Sequence, residues 1–403
     1  MDSNKGGDSI HMSDTIHSFS KECQTLKTEE QDLKKPLYFD CGQCGECCSS
    51  WNIPIEAEKA KYLLEQNWVQ ERLAFFGRRL EPLPEQAGLY RIPLTSSNTC
   101  VFLADDKRCL VEANEGLSYK PHECRRFPFA TVQLPKTVAS TPLAYETSAA
   151  CKHISEKLLL AFEHIQPKPS DLSVQLDENE HLLLSQCPSN VYVQGLKKVS
   201  WLETEAWRQE IKAYFMDASL SPSQTLWKAL KRQKTLPQHT SKAFLSSWKE
   251  RLLAIAFLRK PYRTYSLVQL LMNKQYEDRR IFGVPVSLKN RHRVHWDTTE
   301  DTRVKAYLYN LLCRRVPLIH GQSLLSLWAM AVCAYVLVRW HAITLASLRV
   351  SELNRTDITS VCSEDVSSAI RLTERYYTGH QPRFMRWFCQ RWQGELLAHC
   401  LLL

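Results

Sequence analysis

The chain has 403 residues, of which 44% are hydrophobic and 24% charged, with a formal net charge of +9. That balance excludes a disordered or fibrous chain and is enough for one large or two moderate domains. Only 12 glycines occur, and neither G-x-G-x-x-G nor G-x-x-x-x-G-K-[ST] is present, which argues against a Rossmann-type or P-loop nucleotide fold.

Residues 1–35 are polar and charged and read as a disordered tail. Met1 to Ser9 carry no apolar run, so no signal peptide is expected. Then come four cysteines in eight residues, Cys41-Gly-Gln-Cys44-Gly-Glu-Cys47-Cys48. Thiolates are soft ligands for zinc or iron, and two-residue spacers let a tight turn fold two sulfurs onto one ion. Gly42 and Gly45 lie in the spacers, where unusual φ/ψ or close approach to a metal is expected. Cys47 and Cys48 are adjacent, so their side chains diverge; one ligates and the other packs, or each faces a different centre.

Glu56 to Phe76 reads as one helix, and Leu89–Leu94 and Phe129–Leu134 as short strands. Ala104-Asp-Asp-Lys107 reads as a turn that brings Cys100 and Cys109 together at the base of a hairpin. Cys124 and Cys151 follow, and Cys151–Ile165 reads as helix. The candidate metal ligands are therefore Cys41, Cys44, Cys47, Cys48, Cys100, Cys109, Cys124 and Cys151. A disulfide framework needs an exported chain, whereas reduced thiols suit a cytoplasmic metal site. The spacing C-x2-C-x2-C with one remote cysteine matches a [4Fe–4S] cluster; a zinc tetrahedron would use four of the same thiolates. Of the histidines, His122 could replace a thiolate. Arg125, after Cys124, is a candidate to offset thiolate charge. Glu46 could reach an open metal position as a base, against the plainer reading of a solubilising loop residue.

These residues, with Trp51-Asn-Ile-Pro-Ile, Cys100-Val-Phe-Leu and Cys124-Arg-Arg-Phe-Pro-Phe, resemble the bacterial CxxCxxCC zinc- or iron-chelating domain of the YkgJ-type cysteine-cluster proteins. The same domain is similar to the N-terminal part of flagellin lysine N-methylases. There too a later cysteine follows a strand rich in small and hydroxyl residues, as Cys151 follows Glu146–Ala150. The resemblance covers about residues 36–165. It implies a metal-binding bacterial protein. Its methylase branch implies a protein-lysine N-methyltransferase that uses S-adenosylmethionine on a flagellin-like substrate.

Beyond it, Val174–Leu176 and His181–Leu184 read as a hairpin inside a 166–200 linker. From Trp201 the chain turns helical, over Trp201–Met216, Pro222–Lys234, Lys242–Leu258, Tyr262–Tyr276, Thr302–Val316, Ser323–Leu348, Ser363–Tyr377 and Arg383–Leu401. The run Leu324–Val338 is the most apolar; it is shorter than a membrane span, is closed by Arg339, and reads as a central buried helix rather than a transmembrane anchor. Cys187, Cys313, Cys333, Cys362, Cys389 and Cys400 read as core packing, and Cys23 as a free thiol in the tail.

Basic residues concentrate between Lys197 and Arg293 and could steer an acidic protein; nucleic acid, supported by charge alone, ranks lowest. The expected class is α+β: a tail (1–35), a small loop-rich cysteine-cluster metal-binding domain (36–165), a hairpin/linker (166–200) and a mainly α-helical domain (201–403). Substrate, donor pocket and oligomeric state are not legible.

Overall fold

Two buried apolar clusters organise the protein, a small one around the first cysteines and a larger one built mainly by helices. The computed structural model describes residues 37–39, 41–49, 53–84, 88–133, 143–156, 165–167, 190–236, 239–240, 280–281, 284–285, 294–352 and 359–375. The expected tail, the 174–184 hairpin, the helices 242–258, 262–276 and 383–401, and Cys23, Cys187, Cys389 and Cys400 lie outside the described residues.

Strand β1 (Leu37–Phe39) precedes the cysteine run, and β2 (Ile53–Glu56) follows it. In β2, Ile53 and Ile55 turn inward while Pro54 and Glu56 do not, the period-two alternation of a half-buried strand. The expected single helix then breaks into α1 (Ala57–Leu64) and α2 (Asn67–Phe75), with Gln66 extended at ψ 129 between them. The buried residues explain the break. Leu63, Val69 and Leu73 must all reach the small core, yet a continuous helix would put polar Gln66, Asn67 and Gln70 on the face below Leu63. Strands β3 (Glu81–Pro82) and β4 (Leu89–Ile92) complete an antiparallel sheet in the order β2-β4-β3. Two short helices, α3 (Leu110–Glu115) and α4 (His122–Arg126), close the small core. Arg72 fastens α2 to the cysteine-bearing loop by donating to Val101 O (2.9 Å) and Leu103 O (2.8 Å).

The hairpin-like pair β5 (Phe129–Gln133) and β6 (Leu143–Thr147) joins the larger core. Of the expected helix 151–165, α5 is described over Lys152–Glu156, and Ile165 instead begins β7 (Ile165–Pro167), which pairs in parallel with β1. A second hairpin, β8 (Asn190–Gln194) and β9 (Lys197–Ser200), was not anticipated, although Val191 and Val193 alternate with polar or half-buried neighbours and Gly195 turns with φ 58.

The helical part begins where the sequence predicts. Ser200 and Ser221 cap α6 (Trp201–Met216) and α7 (Pro222–Lys234) with reciprocal capping boxes, and Pro222 occupies the first turn, where no amide donor is needed. Helix α8 (Asp301–Leu312) stops short of the expected Val316 because Pro317 starts a new short helix, α9 (Val316–Ile319). Helix α10 (Leu324–Glu352) is the centrepiece. Arg339 does not end it; its guanidinium lies 4.9 Å from the Trp296 ring and donates to Tyr335 OH (3.0 Å). Leu324–Arg349 is, by length and composition, long and apolar enough to cross a membrane, and 67% of its most apolar window is buried inside the protein, as in a core helix. Helix α11 (Ser363–Thr373) packs along α10 and widens to a π turn at Glu374 and Arg375. The architecture is thus the expected one, a loop-rich strand-containing N-terminal region followed by a mainly helical part.

A buried polar joint links the two parts. The Glu374 carboxylate, 1% exposed, accepts from Ser148 Oγ (3.1 Å) beside β6, from Tyr307 OH (3.1 Å) of α8, and from Arg314. Glu146 of β6 accepts the N–H groups of Arg315 and Val316 at the start of α9, and Glu205 of α6 holds Arg315 through paired 3.0 Å contacts and Arg208 at 2.6 Å. Burial pushes the Glu146 carboxyl above its usual range, against the pull of the Arg315 amide and nearby arginines. Burial also works against ionised Glu205, but Arg208 and Arg315 prevail and hold it below its usual range. Removing one partner of a buried pair strands the other charge. Glu374→Ala should therefore lower unfolding stability by about 3–5 kcal/mol, and adding Arg314→Met should restore a large part of it. Denaturant midpoints of the single and double variants check both.

Candidate metal centre

The cysteine run has no regular structure from Cys41 to Gly45, then forms a 3-10 turn over Glu46–Cys48. Gly45 makes the turn possible at φ 73, as its position suggests, and the second left-handed residue is Gln43 (φ 50) rather than Gly42. Gly42 is needed for space. A Cβ there would lie 1.9 Å from His153 Nε2, because the imidazole of α5 rests directly on the Cys41–Cys44 turn. The close approach expected of Gly42 is to this ring.

The run is stitched to the next cysteines through backbone. Cys100 N donates to Cys48 O (2.7 Å), and Ser49 bridges Thr99. The chain then doubles back at Ala104–Lys107, with Ala104 N donating to Arg108 O (2.9 Å) and Lys107 in the left-handed region at φ 68. This is the expected turn, and it sets Leu103 opposite Cys109. Cys124 sits on α4, in a segment packed against the same small core as Cys48, Cys100 and Cys109. Cys151 belongs to the larger core, just ahead of α5.

The candidate cysteines are linked to one another in pairs through the electrostatics of their neighbours. Cys47 is the hub: it hydrogen-bonds to Cys48 and lies within electrostatic reach of Cys41, Cys100, Cys124 and Cys151. Cys109 joins through Cys100 and Cys124, and Cys44 through Cys151. Burial pushes the thiols of Cys100 and Cys151 up to about 12 and that of Cys124 well above its usual range. For Cys47 the hydrogen bond with Cys48 comes first and burial second, and both push it up. Cys41 is raised chiefly by burial, with Cys47 adding to it, against a hydrogen bond from the Gln43 backbone. At Cys41, Cys47, Cys100, Cys124 and Cys151 the neutral thiol is favoured until a cation compensates the charge. One cation is built in. Burial disfavours the Lys120 ammonium, but a 2.6 Å bond to Glu112 and the sulfurs of Cys109 and Cys124 outweigh it and hold the charge on. Lys120 was not singled out from sequence; its only signal is its place four residues before Cys124.

The C-terminal helix clasps the run from outside. Arg375 Nη2 donates to Glu46 O (2.7 Å) and Ser49 O (2.9 Å), the carbonyls at either end of the Cys47–Cys48 pair. Arg371 lies 3.3 Å and Lys152 3.7 Å from the Glu46 carboxylate. Glu46 thus anchors Arg371 and Lys152 through its carboxylate and Arg375 through its carbonyl. His122 and Arg125 share α4 with Cys124, while His295 lies exposed on a two-residue strand away from the run. Cys313 and Cys333 are buried in the helical core as expected, but Cys362 is half-exposed and its thiol donates to Asp365 (3.2 Å) at the start of α11.

The described cysteines are all free thiols. Among the described residues, no three Cys, His, Asp or Glu side chains already converge on one point as an ion would need. The donor chemistry nevertheless fits zinc or iron: interacting thiols, an imidazole against the turn, and a bare Gly42 that leaves the turn open. Residues 40–153, less than half of the chain, match the family model "CxxCxxCC: Putative zinc- or iron-chelating domain". No curated protein and no solved structure matches the chain.

Hydrogen bonds from a charged donor are worth about 1.5–3 kcal/mol each. Arg375→Ala should therefore leave the helical core folded but loosen the Glu46–Ser49 turn. Amide hydrogen exchange over residues 45–49 should speed by about 10-fold or more, with little change in α8 and α10.

Proposed function

We propose that this chain is a metalloprotein whose centre is ligated by thiolates of the Cys41–Cys48 run together with Cys100, Cys109, Cys124 and Cys151. The observation that carries the reading is that Cys48 of the C-x2-C-x2-C-C run packs against the same small core as Cys100, Cys109 and Cys124. Eight thiols exceed the four that one zinc or one [4Fe–4S] cluster takes. The surplus favours an iron–sulfur cluster, or two centres, over a single zinc. Cys48, Cys100, Cys109 and Cys124 pack with the small core, and Cys151 with the large one, a division that suits two centres.

When bound, the metal supplies positive charge that stabilises the thiolates. The chain's own residues do the rest. Lys120 balances part of the thiolate charge, and Arg371, Arg375 and Lys152 fix the turn that presents Cys47 and Cys48. A reducing, cytoplasmic setting belongs to this proposal, since the thiols must stay free.

The enzyme reading within it is a protein-lysine N-methylase using S-adenosylmethionine, supported by the resemblance of the cysteine region. In that reading the basic helical half receives an acidic, flagellin-like protein. Labelled S-adenosylmethionine with flagellin, offered to the metal-loaded protein, tests it; absence of transferred label sinks it.

Protein purified without oxygen should be brown and contain iron and acid-labile sulfide. Colourless protein with stoichiometric zinc would replace the cluster with zinc, and metal-free protein that takes up neither would overturn the proposal. Because burial holds the thiols above their ordinary range, loading must displace protons. Zinc affinity of the reduced protein should therefore rise with pH between 6 and 8, by about tenfold per unit for each proton released. Competition with a chromophoric chelator reads this directly.

A further inference from the structure

On the far side of the small sheet lies a cleft of about 490 Å³, lined by Gly77, Arg78, Arg79, Arg91, Thr95 and Asn98 among others. Three arginines line it from two segments. Arg78 and Arg79 come from the turn after α2, and Arg91 from the centre of β4. One carboxylate, Glu81, opposes them; it lies 3.8 Å from Arg79 and both side chains are well exposed. Arg91 Nε is buried with no hydrogen-bond partner, so a donor has been taken from water without compensation. Thr95, on the cleft wall, is hydrogen-bonded to two neighbouring hydroxyls, with Oγ1 2.9 Å from Ser97 Oγ and 2.8 Å from Thr99 Oγ1. Left-handed Asn98 (φ 64) shapes the rim.

We propose that this cleft binds a small phosphorylated ligand. Planar guanidinium forks lining a concave pocket beside a hydroxyl match pairs of oxygens on a tetrahedral phosphate, and the volume accommodates a mononucleotide-sized molecule. An isolated acidic side chain would satisfy one arginine and leave the others facing each other. The cleft is separate from the thiols, although the loop that lines it ends at Cys100, whose amide binds Cys48 O at 2.7 Å.

Calorimetric titration of the full chain with pyrophosphate and with adenosine monophosphate, at fixed ionic strength, tests the proposal. Both should bind, and inorganic phosphate and malonate should bind at least tenfold more weakly. Arg91→Gln should weaken pyrophosphate by about 10-fold or more. Arg78→Gln, in an exposed turn that cannot unfold the sheet, should do so by several-fold. No heat up to 10 mM of either ligand (about 10 mM being the millimolar range where affinity ceases to be specific), or binding unchanged in both variants, overturns it. Malonate binding as tightly as pyrophosphate also overturns it, in favour of a general anion patch.

Discussion

Glu374 and Arg375 are neighbours in sequence and serve opposite sides of the molecule. Glu374 is buried among Arg314, Tyr307 and Ser148, while Arg375 reaches the carbonyls of Glu46 and Ser49 around the paired cysteines. The widened turn at this point aims the two side chains apart. The cysteine run itself has almost no hydrogen bonds of its own beyond one 3-10 turn. Its shape is therefore imposed from outside, by a helix more than 300 residues away in the chain, by the Cys100 amide and by the His153 ring.

The thiols pose the opposite electrostatic problem. A buried thiol is stable when neutral and costly when ionised, and crowding several together raises each one further. Lys120 offsets only part of this, because its charge is shared with Glu112. Such a cluster is quiet without a metal and strongly rewarded by one, since a divalent or cluster charge reverses the penalty for the whole set. Holding the surrounding backbone from three sides limits the entropy lost when the sulfurs close on a metal.

Much of the architecture was legible in the sequence for local reasons. The capping serines and Pro222 mark α6 and α7, and the Ala104–Lys107 turn and strands β4 and β5 are local patterns too. Misreadings arose where long-range packing chose between local options. The helix expected from Glu56 to Phe76 broke because the small core needs Leu63, Val69 and Leu73 together. Arg339 ends the most apolar run but not the helix, which continues past it as expected, with Trp296 and Tyr335 receiving its guanidinium. Ile165 left helix for strand because β1 offers it a parallel partner.

The sequence alone determined that a dense set of cysteines, spaced for metal, precedes a helical body, because ligand spacing and helical period are written in neighbouring residues. The tertiary structure decided which cysteines face one another, which cation stands among them and what holds their loop. Cys47 sits next to Cys48 and near several other thiols, Lys120 places its ammonium among the sulfurs of Cys109 and Cys124, and Glu46 anchors Arg371. Each of those facts depends on burial and on contacts between residues far apart in the chain, and no local pattern encodes either.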